Sequence, residues 1–188
     1  MKIATLNRKD ALAPLALGLV TFLLVLLVWM LSHSNGGVES ALARGNKPLA
    51  PSFSISPLRG ASSLDLAAYG GRLIVINFWA SWCGPCRAET PALLRAWRHW
   101  RSHLVTFIGV DTRDSTSDAR AFLRHSHISY PAGHDSSART AQAYGVEALP
   151  ATFIISPRGR VVASFLGAVS EPELNAAIAS TLRQAGAA

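Results

Sequence analysis

Both cysteines of this 188-residue chain lie in one five-residue window, Trp82-Cys83-Gly84-Pro85-Cys86. The window follows a continuous apolar, β-branched run over residues 73–79, which predicts a buried strand. It precedes a helical pattern that begins at Gly84 and extends to about residue 101. Two cysteines are too few for a disulfide-stapled mini-fold or for a zinc site of four cysteines. The fold must therefore contain a strand that leads into a helix through a cysteine-containing turn.

The positions of the two cysteines suit a reversible dithiol. Cys83 lies at the predicted helix N-terminus, where unpaired backbone N–H groups and the helix dipole favour a thiolate. Cys86 follows one turn later on nearly the same face, so that the two sulfurs can form a disulfide with little strain. Pro85 fits the first helical turn, where its missing N–H costs no hydrogen bond. We therefore expect an exposed attacking thiolate at Cys83 and a shielded resolving thiol at Cys86.

Other roles for the cysteines and for the basic charge are less consistent with the sequence. A buried inert pair is disfavoured because the start of an exposed helix is a poor place for packing. None of the six histidines forms a tightly spaced ligand pair with the cysteines, so we expect no metal and no bound cofactor. The net charge of +7 is spread along the chain, without an arginine cluster interleaved with aromatics, and this argues against a nucleic-acid partner.

The remaining pattern alternates strands and helices. A short first strand is expected near residues 53–55, and Ser170-Glu171-Pro172-Glu173 forms a capping box that opens the last helix. Further strands are predicted at 105–111, 152–156 and 161–167, and further helices at 117–125, 138–144 and 171–182. This order predicts an α/β fold with a mixed central sheet and helices on both of its faces.

Residues 11–31 form an uncharged stretch of 21 residues, ALAPLALGLVTFLLVLLVWML. A helix of that length roughly spans a hydrocarbon core of ~30 Å. Lys2, Arg8 and Lys9 precede the stretch, and the positive-inside rule therefore places residues 1–10 in the cytoplasm. We expect an uncleaved signal-anchor, that is, an N-terminal transmembrane helix.

The anchor predicts the organisation of the rest of the chain. Residues 32–51 are rich in Gly, Ser, Asn and Pro and are expected to be a linker. The catalytic domain would then occupy residues 52–188, on the periplasmic side of the cell membrane. A cleaved signal peptide is the alternative, because Ala41-Leu42-Ala43 is similar to a signal-peptidase site. That motif, however, lies far from the apolar run, and the run is longer than a usual signal-peptide core.

Residues 73–91, with WCGPC at their centre, resemble the thioredoxin superfamily, and Leu149-Pro150 ahead of a strand is similar too. With an anchor in front, the chain further resembles the TlpA/ResA/CcmG group of exported thiol-disulfide oxidoreductases. The resemblance implies a thioredoxin fold over about residues 52–182 and an attacking role for Cys83. It also implies reduction of disulfides in exported proteins, apocytochrome c among them, with electrons from a CcdA/DsbD-like membrane protein.

The resemblance also implies a substrate-binding surface around the dithiol. It implies a cis peptide bond before Pro150, which would expose the backbone of Leu149 to an extended substrate strand. Trp82 is expected to flank the dithiol as a hydrophobic contact surface, whereas Trp79 is expected in the core. The surface as a whole comprises Trp82, Gly84, Pro85, Leu149 and Pro150. Tyr130, Pro131 and His134 are expected in a loop to which we assign no role.

Glu89 is the third candidate for a chemical role, beside the two cysteines. Thioredoxin itself has a buried Asp on the strand, six residues before the first cysteine, but here that residue is Asn77, which cannot take up a proton. In the ResA-like group a Glu at the position of Glu89 lies beneath the active site. A carboxylate one helical turn beyond Cys86 can accept its proton. The alternative is a solvated surface Glu that pairs with Arg87 or Arg95.

We therefore expect a membrane-anchored thiol-disulfide oxidoreductase that acts mainly as a reductant, since Gly-Pro between the cysteines is the dipeptide of thioredoxin. The alternative function is a thioredoxin-like copper chaperone or metal-site assembly factor. Such proteins usually space their cysteines by three residues and add a histidine ligand, and the spacing of two here counts against that function. A redox-inactive thioredoxin-like binding module is the third hypothesis, and the intact dithiol disfavours it.

Overall fold

The computed structural model of the protein describes residues 8–32, 38–60 and 63–186. The chain divides into two compact units, residues 1–36 and residues 37–188. In the first unit, helix α1 extends over Arg8–Ser32. No helix within the described ranges combines the length and the apolar character that are needed to cross a membrane. The anchor at residues 11–31 stays a prediction, and so does the cytoplasmic segment, whose residues 1–7 lie outside the described ranges.

The second unit contains the α/β domain. Its strands are β1 Ser54–Pro57, β2 Leu64–Asp65, β3 Leu73–Trp79, β4 Val105–Thr112, β5 Ala132–Asp135, β6 Ala151–Ile155 and β7 Val161–Leu166. Its helices are α2 Val38–Ala43, α3 Gly84–Trp100, α4 Thr116–His125, α5 Arg139–Tyr144 and α6 Glu171–Gly186, with a 3₁₀ helix at Leu66–Tyr69. The helices and strands that the sequence predicts are all present, with ends that differ by a few residues.

One mixed sheet organises the domain, with the strand order β2-β1-β5-β4-β3-β6-β7. Strands β3, β4 and β5 are parallel, whereas β6 pairs antiparallel with both β3 and β7. The carboxyl ends of β3, β4 and β5 therefore lie at one edge of the sheet. In open α/β sheets this edge is where functional loops collect.

Helices cover both faces of the sheet, which confirms the predicted mixed sheet flanked by helices. Helices α3, α4 and α6 pack on one face through Leu93, Phe122 and Leu174. The 3₁₀ helix and α5 pack on the other through Leu66 and Tyr144. All seven residues of β3 are buried because the strand is central and covered on both faces.

Strand β5 corrects the expectation that Tyr130, Pro131 and His134 belong to one loop, because His134 lies in the strand. Its sequence, Ala-Gly-His-Asp, has no β-branched residue and no clear alternation, so that only pairing with β4 and β1 makes it a strand. Gly133 allows that pairing, since a Cβ there would lie 2.7 Å from the Ile55 side chain.

The predicted linker at 32–51 is only partly a linker. Residues 38–43 form α2, and Val38 is buried in the core face that contains Tyr144. Farther along, the Pro48 carbonyl accepts a hydrogen bond from the Val161 N–H. Packing against the domain therefore begins well before residue 52, whereas residues 33–37 of the predicted linker lie outside the described ranges.

Candidate active site

The two cysteines lie at the carboxyl edge of the sheet, where β3 leads into α3. Cys83 is the N-cap of α3 and forms a disulfide with Cys86, with 5.3 Å between their Cα atoms. The Cys83 Sγ also accepts a hydrogen bond from the Cys86 N–H at 3.2 Å. Pro85 occupies the first helical turn, where its ring does not interrupt the backbone ladder. After reduction, the same N–H and the helix N-terminus would stabilise a thiolate on Cys83.

The expectation of an exposed Cys83 is wrong for this disulfide form, in which Cys83 is only 4% exposed and Cys86 1%. Both residues pack with Trp79 and the core beneath α3, because the turn folds back over the end of β3. The exposed part of the turn consists of its other residues, with Trp82 61% exposed. A partner must therefore approach the disulfide across Trp82, Gly84 and Pro85.

The loop between β4 and α4 holds the active-site turn in place, which the sequence did not reveal. The Trp82 Nε1 donates to the Arg113 carbonyl at 2.9 Å, and the Ser81 N–H donates to the Asp114 Oδ2 at 2.5 Å. From the other side, the Arg87 Nε donates to the Ser81 carbonyl at 2.8 Å. Arg113 adopts a left-handed backbone with φ of 55°, a conformation that is uncommon for a residue with a Cβ. This positive φ indicates that the loop between β4 and α4 is conformationally constrained.

Pro150 lies beside the same turn. Phe78 pairs with Ala151 in the antiparallel β3–β6 ladder, so that the residue before Ala151 lies next to the end of β3. The Leu149–Pro150 peptide bond is cis. Pro150 is buried, whereas Leu149 is half-buried and packs against the core. Pro150 therefore lies beside the end of the strand that leads into the cysteine turn.

Glu89 lies in the interior, which excludes the surface alternative. It is 3% exposed, its Oε1 accepts from the Asn77 Nδ2 at 2.8 Å, and its Oε2 accepts from the Val169 N–H at 3.0 Å. Arg95 pairs with Glu171 instead of Glu89. Burial raises the pKa of Glu89 to about 7, although the two hydrogen bonds lower it. The carboxyl group can therefore exchange a proton near neutral pH.

Asn77 has a role that its place in the sequence does not reveal. Its Nδ2 donates to Glu89 and also to the Thr152 Oγ1 at 3.0 Å. Asn77 and Thr152 are direct partners in the β3–β6 ladder, so that both point towards α3. Asn77 is thus a buried donor that orients the Glu89 carboxylate. Strand parity could have shown that Asn77 faces α3, but its pairing with Thr152 required the register.

Glu89 also borders a cleft of about 380 Å³ between α3 and the start of α6. Its small side chains, Ala88, Ala92 and Ala168, leave this space open. Neither cysteine nor Pro150 contributes to its lining. The cleft therefore lies beside Glu89 and apart from the disulfide surface.

Comparison with known proteins agrees with this arrangement. The model of the AhpC/TSA family matches residues 48–164, more than half of the chain. Thiol-disulfide oxidoreductase ResA of Bacillus subtilis (strain 168) is 27% identical over 154 residues, which cover 82% of this chain and 84% of the relative.

Solved structures show the same likeness. A secreted Mycobacterium tuberculosis disulfide oxidoreductase homologous to E. coli DsbE is 26% identical, with a TM-score of 0.62 over 68% of this chain and 95% of that one. A thiol:disulfide interchange protein of the thioredoxin family from Chlorobium tepidum TLS is 26% identical, with a TM-score of 0.66 over 73% and 97%. With its disulfide at the start of α3 and its thioredoxin fold, the chain belongs to the AhpC/TSA family and is a thiol-disulfide oxidoreductase.

Proposed function

We propose that this protein reduces disulfides of exported proteins, apocytochrome c among them, through Cys83 and Cys86, with Glu89 as the proton acceptor for Cys86. The observation that carries the proposal is the buried Glu89 carboxyl, one helical turn beyond Cys86 and with a pKa raised to about 7 by burial. A base for a thiol has to hold and release a proton near the working pH, and an ordinary surface glutamate does so poorly.

The proposed reaction has two steps. In the reduced protein, the Cys83 thiolate attacks a substrate disulfide, forms a mixed disulfide and releases the first substrate thiolate. Cys86 then gives its proton to Glu89 and attacks the Cys83 sulfur, which releases the second substrate thiolate. Two electrons pass from the protein to the substrate, and the protein is left with the Cys83–Cys86 disulfide that the structure contains.

The cleft beside Ala92 offers a route by which the proton on Glu89 can reach solvent. While a substrate covers Trp82 and the dithiol, the proton on Glu89 cannot leave across that surface. The space between α3 and α6 stays open because it lies apart from the cysteines and Pro150. We infer that Glu89 returns its proton to solvent through this cleft before the next cycle.

The substrate would bind as an extended segment beside the disulfide. The Leu149 backbone, just before Pro150, would pair with the substrate as a strand, and the exposed indole of Trp82 offers an apolar contact. Gly84 and Pro85 lie in the exposed part of the turn, where a substrate chain has to pass. Reduction as the working direction is supported by this Gly-Pro dipeptide, which is that of thioredoxin.

The proposal includes a membrane tether through residues 11–31, with the domain in the periplasm and a CcdA/DsbD-like membrane protein as electron donor. The support comes from the uncharged run and the basic residues before it. In addition, Ala41-Leu42-Ala43 belongs to α2, whose Val38 is buried in the domain. Cleavage after this motif would remove a packed element, and this favours an uncleaved anchor.

Localisation can be tested with a reporter fused after Ala188. We expect reporter activity only outside the cytoplasm and recovery of the protein in the membrane fraction. A soluble mature chain that begins near Arg44 would contradict the anchor.

The function can be tested with the purified, reduced protein and an oxidised Cys-x-x-Cys-His peptide, the haem-attachment motif of c-type cytochromes. We expect transfer of one electron pair per protein, lost in Cys83→Ser. Reduction of a small aromatic disulfide but not of the peptide would contradict the substrate class.

Dialysis against copper followed by metal analysis tests the alternative function, a copper chaperone. A stoichiometric, tightly held copper ion together with no electron transfer would favour the chaperone.

A further inference from the structure

A buried carboxyl–histidine pair behind the active-site turn has no part in the chemistry above. Asp111 lies at the carboxyl end of β4, is 0% exposed, and pairs in register with Trp79 of β3 and His134 of β5. Its Oδ2 lies 2.6 Å from the His134 Nδ1. All three side chains lie on the sheet face that α3 covers, since they share the strand parity of Val75 and Phe107.

The second oxygen of Asp111 is the unusual feature. Among the described residues, Asp111 Oδ1 is one of few buried side-chain oxygens without a hydrogen-bond partner. Asp114 nevertheless acts on Asp111 through its charge and a side-chain hydrogen bond, and this interaction raises the pKa of Asp111, while the same hydrogen bond lowers the pKa of Asp114. Two carboxylates that interact in this way do not both stay ionised inside a protein. A proton on Asp111 would turn the unpartnered oxygen into a donor to Asp114.

Asp114 connects this pair to the active site. Its Oδ2 accepts from the Ser81 N–H and its Oδ1 from the Ser115 N–H, at 2.5 and 2.7 Å. Partial burial acts to raise the pKa of Asp114, but the hydrogen bonds from Ser81, Ser115 and Asp111 outweigh it and lower the pKa. For Asp111, burial and the neighbouring charge of Asp114 raise the pKa, against the hydrogen bond with His134. Of the two carboxyl groups, Asp111 is therefore the one that carries the proton.

We propose that Asp111 is a positioning residue, which holds a proton between His134 and Asp114 and thereby keeps Asp114 on the Ser81 N–H. The chain of hydrogen bonds runs from β5 to the residue before Trp82. This positioning role concerns the thiol-disulfide oxidoreductase activity itself. It does not depend on which substrate is reduced or on the role of Glu89. Loss of the proton would place two negative charges side by side and draw Asp114 away from Ser81.

The other charged groups near these hydrogen bonds each have a different partner. Arg87 of α3 binds the Ser81 carbonyl on the opposite side of the turn, and Arg113 donates to the Glu147 carbonyl. Asp118 of α4 accepts from the Ser115 hydroxyl. His134 from β5 and Asp114 from the β4–α4 loop are the ionisable groups that act on the pKa of Asp111. The contact between Asp114 and the Ser81 N–H should therefore depend on the Asp111 proton and weaken as pH rises above neutral.

The effect on catalysis should be selective. A loosened turn displaces Trp82, which a protein substrate contacts, but leaves the sulfur atoms available to a small disulfide. Between about pH 6 and about pH 8.5, we expect KM for a protein disulfide to rise about fivefold, the loss that corresponds to one hydrogen bond. The rate with a small aromatic disulfide should follow thiolate formation only, without this additional pH dependence.

The first measurement uses the wild-type protein in its oxidised form, without any substrate. Carboxyl-carbon NMR should show that Asp111 titrates well above the ordinary aspartate value of about 3.9. Hydrogen exchange should show the protection of the Ser81 amide falling by at least about tenfold from about pH 6 to about pH 8.5, after correction for intrinsic exchange. The proposal is overturned if Asp111 titrates in the ordinary range, or if the protection of the Ser81 amide does not change with pH.

Asp111→Asn is the matched variant, because an Asn amide can donate to Asp114 permanently while its carbonyl accepts from His134. We expect Ser81 protection and the protein-substrate KM to become independent of pH in this variant. Asp118→Asn, in the neighbouring helix, should keep the wild-type pH profile. If Asp111→Asn keeps the wild-type profile, the proposal is wrong. If the variant does not fold, the wild-type titration decides by itself.

Discussion

Replacing Glu89 with Gln should make the oxidised protein more stable at neutral pH while it slows catalysis. Burial moves the pKa of Glu89 from 4.5 to about 7, so that the unfolded chain loses this proton at a lower pH than the folded protein. The contribution to stability is therefore complete below about pH 4.5 and is lost as the pH rises through about 7. At ~1.4 kcal/mol for each pH unit, the loss amounts to about 3 kcal/mol.

Glutamine is a close isostere of the protonated acid in this environment. Like the neutral carboxyl group, its amide has one good acceptor for the two donors, Asn77 Nδ2 and Val169 N–H. Wild type and Glu89→Gln should thus have similar unfolding free energies near pH 4.5. At pH 7.5 the variant should be more stable by about 3 kcal/mol, because it lacks the ionisation that favours the unfolded chain.

Urea denaturation of both oxidised proteins, followed by tryptophan fluorescence across this pH range, measures the difference. Glu171→Gln is the matched control, since it removes the partner of Arg95 from a surface ion pair and should not reproduce the divergence. A difference between wild type and Glu89→Gln that stays constant with pH would refute the raised pKa. The same variant should reduce disulfides more slowly by on the order of 10²-fold, the usual contribution of a general base. Thiol alkylation should show cysteine pKa values displaced by about one unit.

Three further predictions concern the cysteines, the tryptophan and the cleft. Cys86→Ser should accumulate mixed disulfides through Cys83, visible on non-reducing gels, and equal trapping by Cys83→Ser would reverse the assignment of roles. Trp82→Ala should raise KM for protein substrates but leave the melting temperature nearly unchanged, because the side chain is 61% exposed; unchanged KM would remove Trp82 from the binding surface. Ala92→Leu should fill the cleft and lower turnover with protein substrates, with no change in the first thiol alkylation, and wild-type turnover in a folded variant would exclude the cleft as the proton route.

The active-site turn and its flanking elements could be predicted from the sequence alone. The apolar run predicts β3 with both ends correct, and the helical pattern predicts α3 to within one residue of its observed end, Trp100. A glycine–proline pair at the start of a helix, with a cysteine on either side, implies the disulfide because all the determinants are local. The sequence also predicted the mixed sheet, since alternating strands and helices admit few other arrangements.

Tertiary structure decided the features in which distant segments meet. Strand β5 has no strand-like composition and exists through its partners, and Cys83 is buried because the turn folds over the core. Neither effect can be seen in a local pattern.

Proton chemistry in this protein also depends on strand register. Asn77 meets Glu89 and Thr152, and Asp111 meets His134, because pairing between strands distant in sequence brings these residues to one face. Sequence alone determined the dithiol, its helix and the class of fold, since these follow from neighbours within a few residues. Which carboxyl groups are buried, and hence which hold a proton near neutral pH, was decided only by the folded chain, because desolvation depends on everything packed around the group.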